Sequence, residues 1–202
     1  MAAFDPCGGR AAPRLLIVPG LNDSGPAHWQ SWLQSLHRGA VRVRQRDWAT
    51  PELDRWAGRI ASAIERQSGA PCLVAAHSFG CLALARHLAL RPDLGVAAAL
   101  LVAPADPDRF GVADLLPRRA LPAATTMVLS DTDPWMRAAK ARGWAQRWGS
   151  HVVGLGDAGH VNTEAGFGPW PYAQRWVTAQ LQRHERGQRA DRAALAEWSF
   201  AV

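Results

Sequence analysis

Ser78 lies in the run Ala75-Ala76-His77-Ser78-Phe79-Gly80, between an apolar stretch from Cys72 to Ala76 and a helix-period stretch from Phe79 to Leu90. A sharp strand-to-helix turn at such a junction lifts a serine hydroxyl clear of the backbone, within reach of a base. The turn crowds the chain two residues to either side of the serine, so both positions should be small, and Ala76 and Gly80 are. Glycine at both is the usual pattern, and Ala76 departs from it by one methyl group. The same turn aims a helix N-terminus, and the Phe79 N–H with it, at an oxyanion forming over Ser78.

A weakly acidic hydroxyl needs a base. Of seven histidines, His28 and His37 fall on or beside a helix, His87 is on another, His151 opens a strand and His184 is near the tail. His77 precedes the serine and should point away from it. His160 differs: it ends the loop Gly156-Asp157-Ala158-Gly159-His160, just beyond a short apolar strand. A carboxylate to hold the imidazole tautomer is expected after the strand Thr125 to Leu129, where the chain reads Ser130-Asp131-Thr132-Asp133-Pro134-Trp135. Asp133 is the first candidate and Asp131 the second, with Asp106 and Asp157 further out. The order serine, acid, histidine, at intervals of 55 and 27 residues, leaves room for the intervening helices and strands. A second oxyanion donor is expected from the loop Pro19-Gly20-Leu21-Asn22, with the Leu21 N–H first and Asn22 as the alternative. The chemistry implied is acyl transfer through a serine ester.

The elements that must position these groups alternate along the chain. Strands are expected at Arg14 to Pro19, Ala40 to Asp47 (half exposed, near a sheet edge), Cys72 to Ala76, Val96 to Ala103, Thr125 to Leu129 and His151 to Leu155. Helices are expected at His28 to His37, Glu52 to Gln67, Phe79 to Leu90, Met136 to Trp148 and Pro171 to His184. This alternation predicts a three-layer α/β/α sandwich on a mostly parallel sheet, with ligands bound beyond the carboxyl ends of the strands. The expected division is an N-terminal stretch of residues 1–13, a single domain over 14–184 and a polar tail over 185–202, with a short helix at Ala193 to Trp198. Residues 105–122 read as a loop or a small excursion over the site.

Composition narrows the partners. The chain has 202 residues, 48% hydrophobic and 20% charged, which suits one globular domain. The longest apolar run, Val96 to Pro104, is too short to span a membrane. No apolar leader precedes Arg10, so the expected location is cytoplasmic. The net charge of +6 comes from dispersed arginines, which argues for composition rather than nucleic-acid binding. Three cysteines without close pairing suggest neither disulfides nor a thiolate metal site, and Cys7 is placed in a mobile terminus. No spacing calls for a metal, nucleotide or other cofactor. The expected partner is a small acyl substrate, in a pocket to which Asn22, His28, Trp29, Trp135 and Trp170 are assigned. A monomer is the working expectation.

Taken together, Val18-Pro19-Gly20 with His28-Trp29, His77-Ser78-Phe79-Gly80-Cys81, Ser130 to Pro134, and Gly159-His160-Val161-Asn162 followed by Gly168-Pro169-Trp170-Pro171 resemble a known family over Arg14 to Leu181. The chain is similar to the compact serine hydrolases related to the bacterial YdeN proteins and the retinoblastoma-binding protein 9 group. The resemblance implies an α/β-hydrolase fold without a large cap domain, and maps the family's serine, acid and histidine onto Ser78, Asp133 and His160, favouring Asp133 over Asp131. A carboxylesterase-like activity is the first expectation. A peptidase or amidase with the same triad, or an idle interaction module on the same fold, are the alternatives.

Overall fold

The computed structural model describes residues 11–93 and 95–199; Cys7 lies outside them. Six strands form one sheet: β1 (Arg14–Val18), β2 (Val41–Arg42), β3 (Cys72–His77), β4 (Val96–Val102), β5 (Ala124–Leu129) and β6 (His151–Gly154). Their order is β2-β1-β3-β4-β5-β6, and every neighbouring pair is parallel. Parallel strands need crossovers, supplied here by α1 (Trp29–Leu36), α2 (Leu53–Glu65), α3 (Phe79–Leu90) and α4 (Ala138–Trp148).

Side chains alternate across each strand and feed two cores. Leu16, Val18, Cys72, Val74 and Ala76 meet α2, α3 and α4 on one face. Leu15, Ile17, Leu73 and Ala75 meet α1 and the C-terminal helix α5 (Pro171–Ser199) on the other. The fully buried β3 lies in the middle of this stack, which is why it reads as an unbroken apolar run. The chain first steps from β1 outward to β2, then returns to place β3 on the other side of β1. The loops leaving β1 and β3 therefore part at their carboxyl ends and open a crevice.

Two elements differ from the sequence expectation. The edge strand is only Val41–Arg42, because the chain peels away after one more bond from the Val43 N–H to the Ile17 carbonyl. The last helix does not end near His184 with a separate short helix after it. It runs unbroken from Pro171 to Ser199. No proline interrupts this stretch, and a single glycine, Gly187, is tolerated in a helix interior. Its first turns are held by the core, through Ala173, Trp176 and Val177, with the Trp176 indole N–H bonded to Thr126 Oγ at 3.1 Å.

Candidate active site

β3 passes into α3 through Ser78, whose backbone has φ 52° and ψ −124°. A serine rarely adopts this region, at a cost of about 1–3 kcal/mol. The turn is held from both sides. The Ser78 N–H bonds to the Val102 carbonyl, and its carbonyl accepts from Cys81. A Cβ on Gly80 would lie 2.4 Å from the Pro19 carbonyl oxygen, so this position has no room for a side chain. A Cβ on Gly20 would lie 2.7 Å from Ser78 Cβ, so that glycine lets the β1 loop press against the serine. Ala76 is fully buried, and its methyl group is accommodated within the core.

The structure brings Ser78, His160 and Asp133 together. His160 Nε2 is 3.0 Å from Ser78 Oγ, and His160 Nδ1 is 3.0 and 2.9 Å from the two carboxylate oxygens of Asp133. A carboxylate only accepts, so Nδ1 donates to Asp133 and Nε2 is left to accept from the serine hydroxyl. The Asp133 side chain is only 3% exposed, and its Oδ1 also accepts the Trp135 N–H at 2.8 Å. The other acids are engaged elsewhere. Asp131 faces Arg142, Asp157 accepts from Thr132, and Asp106 is bound by Lys140.

The acid and base loops are joined by groups that the sequence did not single out. Ser130 Oγ accepts the Thr132 and Ala158 N–H groups and donates to the Gly156 carbonyl. Thr132 Oγ donates to Asp157 and accepts the Gly159 N–H. Gly159 and Val161, on either side of His160, both have positive φ, 51° and 49°, so His160 sits on a tightly wound turn. On the other side of the crevice, Gln30 is fully buried. Its amide donates to the Val18 and Ala75 carbonyls, near the ends of β1 and β3 where the strands part. Arg42 holds the intervening loop through Asp23, the Ser24 carbonyl and Ser31.

His77 borders the same cavity as Ser78 and is tied to the His160 loop. Its Nε2–H donates to the His160 backbone carbonyl at 2.9 Å, and its ring lies 4.9 Å from those of both His28 and His160. Burial and the neighbouring His160 and His28 hold its pKa well below the usual histidine value. His28 caps α1: its Nδ1 accepts the Gln30 N–H at 3.1 Å. Burial, Arg42 and His160 push its pKa down to about 4, despite an opposing effect of Asp23. Among the described residues, no group of three or more His, Cys, Asp or Glu side chains is arranged to hold a metal ion.

A cavity of about 400 Å³ opens over the serine. Leu21, Asn22, His28 and Trp135 line it, together with Ser78 and His160. The excursion between β4 and β5, which forms short 3-10 turns at Pro107–Phe110 and Ala113–Leu115, contributes Ala105, Asp106, Arg109 and Phe110. Trp29 and Trp170, assigned to the pocket from their place in the chain, are instead core residues, 0% and 8% exposed, packed edge to face at 5.3 Å. Trp29, the first residue of α1, and Trp170, just before α5, both pack into the core on the face of the sheet that these helices cover. The Asn22 N–H is taken by the Trp48 carbonyl at 3.1 Å. Leu21 N–H has no protein acceptor among the described residues, and Phe79, as the first residue of α3, has no intrahelical one.

Comparison with known proteins agrees with this architecture. The chain matches the serine hydrolase family over residues 15–179. Among solved structures, it is similar to one described as a YdeN-like hydrolase from Pectobacterium atrosepticum, at 37% identity over 85% of this chain and 92% of that one, with a TM-score of 0.80. It shares its fold with the ydeN gene product of B. subtilis, at 18% identity over 84% of this chain and 99% of that one (TM-score 0.68). The fold also recurs in a protein of unknown function from Agrobacterium tumefaciens described as an α/β hydrolase, at 18% identity over 89% and 92% (TM-score 0.59). No curated protein sequence matches the chain. Among the described residues, no helix is long and apolar enough to cross a membrane. The chain therefore belongs to the serine hydrolase family, as a YdeN-like member with the α/β-hydrolase fold.

Proposed function

We propose that the protein hydrolyses small ester substrates through an acyl-enzyme on Ser78. The observation that carries this reading is the continuous hydrogen-bonded line from Ser78 Oγ through His160 to Asp133, opening onto a cavity at the carboxyl edge of the sheet. In the proposed cycle His160 Nε2 takes the Ser78 proton as the hydroxyl oxygen attacks the carbonyl carbon. Asp133 stabilises the imidazolium through Nδ1. The Leu21 and Phe79 N–H groups receive the oxyanion, and each such donor contributes roughly 3 kcal/mol in comparable sites. The imidazolium returns its proton to the leaving alcohol, and water then repeats the sequence on the acyl-enzyme.

The test is steady-state hydrolysis of short-chain p-nitrophenyl esters by wild type, Ser78→Ala, His160→Ala and Asp133→Asn. Wild-type turnover, with kcat lowered by about 10³-fold or more in each variant, is the expected result. Turnover that survives Ser78→Ala would remove the serine from the mechanism.

A further inference from the structure

His28 is a buried histidine that borders the cavity. It is only 5% exposed, and its ring is held between Trp29 at 5.5 Å and His77 at 4.9 Å. Its Nδ1 is committed as the acceptor for the Gln30 N–H. An imidazole that accepts at Nδ1 while neutral carries its proton at Nε2. Nε2 has no protein partner among the described residues, yet it is not sealed in the interior, and His28 borders the cavity that contains Ser78 and His160. Burial and Arg42 keep the ring neutral at ordinary pH, so it presents one N–H.

We infer that His28 Nε2–H is a substrate-recognition donor, which favours esters carrying an acceptor oxygen outside the scissile carboxyl group. This inference rests on the proposed hydrolysis at Ser78. A buried donor facing an all-carbon substrate gives up its bond to water without replacement, whereas an ether, hydroxyl or carbonyl oxygen restores the bond. That oxygen can belong to the acyl part or to the alcohol part of the ester.

Two substitutions separate the two ring nitrogens. Asparagine reproduces the Nδ1 position and is a good helix cap, but carries nothing at Nε2. Glutamine places an amide donor near Nε2 and gives up the cap. One arm compares p-nitrophenyl methoxyacetate with the butyrate. The other compares 2-methoxyethyl butyrate with butyl butyrate. The ratio of kcat/KM within each pair is compared between enzymes, so intrinsic ester reactivity cancels. In at least one arm, His28→Asn is expected to lower the preference for the oxygen-bearing ester about tenfold, while His28→Gln retains most of it. The arm that responds identifies which part of the ester carries the acceptor. Ratios equal in wild type and His28→Asn in both arms, in proteins whose Ser78 still reacts with a fluorophosphonate, overturn the inference alone. A folded wild type that neither reacts nor turns over any ester overturns the proposed hydrolysis and the inference with it.

Discussion

The side chain of His77, immediately before the serine, donates a hydrogen bond to the backbone carbonyl of His160, 83 residues further along the chain, at 2.9 Å. The residue before Ser78 thus holds the backbone that carries His160. A hydrogen bond between two buried groups contributes about 1 kcal/mol net, and a carbonyl left without its donor costs about 1–3 kcal/mol. The expected effect of His77→Leu is a kcat reduced by about 10- to 100-fold with KM little changed, because the imidazole of His160 loses its hold on Ser78. His77→Gln, which can still donate near the Nε2 position, should recover most of the loss. Equal kcat in His77→Leu and wild type would show that the bond does not position the base.

Ser130 makes a related prediction for stability. Its hydroxyl gathers two N–H groups and one carbonyl from the acid and base loops, and is 2% exposed. Ser130→Ala leaves all three without this partner and should cost about 2 kcal/mol in urea denaturation. Because the same bonds join the strand ends carrying Asp133 and His160, ester hydrolysis should fall as well. A variant as stable as wild type would mean that the loops are held by other contacts.

The backbone of Ser78 stores strain that the fold does not need. Glycine adopts positive φ without a Cβ penalty. Ser78→Gly is therefore expected to unfold at a higher temperature than Ser78→Ala, by about 1 kcal/mol in stability, while both lack hydrolysis. Identical melting temperatures for the two would indicate that the turn is relaxed at this residue.

Acid sensitivity follows from three buried histidines. His28 and His87 are held down to about 4, and His77 well below the ordinary value of 6.5. The unfolded chain therefore binds protons that the folded chain refuses. This contribution to stability is fully present above pH 6.5, and is lost as the pH falls from 6.5 towards 4. His87 is 1% exposed with neither ring nitrogen paired among the described residues, so it gains nothing from being polar. His87→Leu should raise stability at pH 7 by about 1 kcal/mol and flatten its decline between pH 6.5 and 4. Denaturation midpoints that fall equally in both proteins over that range would contradict the role given to His87.

The strand and helix pattern was legible in the sequence because the central strands are runs of apolar residues, and α1, α2 and α4 space their apolar residues at helical period. Ser78, Asp133 and His160 were legible because a parallel sheet delivers loops to one edge at predictable intervals. The groups that tune the site were not. Gln30 reaches the Ala75 carbonyl across 45 residues, and His77 reaches His160 across 83, so neither bond leaves a local signature. Trp29 and Trp170 show a different limit. Proximity to the carboxyl edge of the sheet does not determine whether a residue at or just before a helix start faces the cavity or the core, and both indoles pack into the core. The long α5 was missed because its polar outer turns carry no apolar stripe, although nothing in the sequence breaks the helix.

Covalent labelling with a fluorophosphonate tests, without knowledge of the substrate, whether His160 and Asp133 activate Ser78. Purified wild type, Ser78→Ala and His160→Ala are incubated with the probe and analysed by intact mass, followed by peptide mapping. One phosphonyl adduct on the wild type, mapped to Ser78 and absent from both variants, is the predicted result. A folded wild type that remains unlabelled, or an adduct that persists in His160→Ala at the wild-type rate, would mean that Ser78 is not activated by His160.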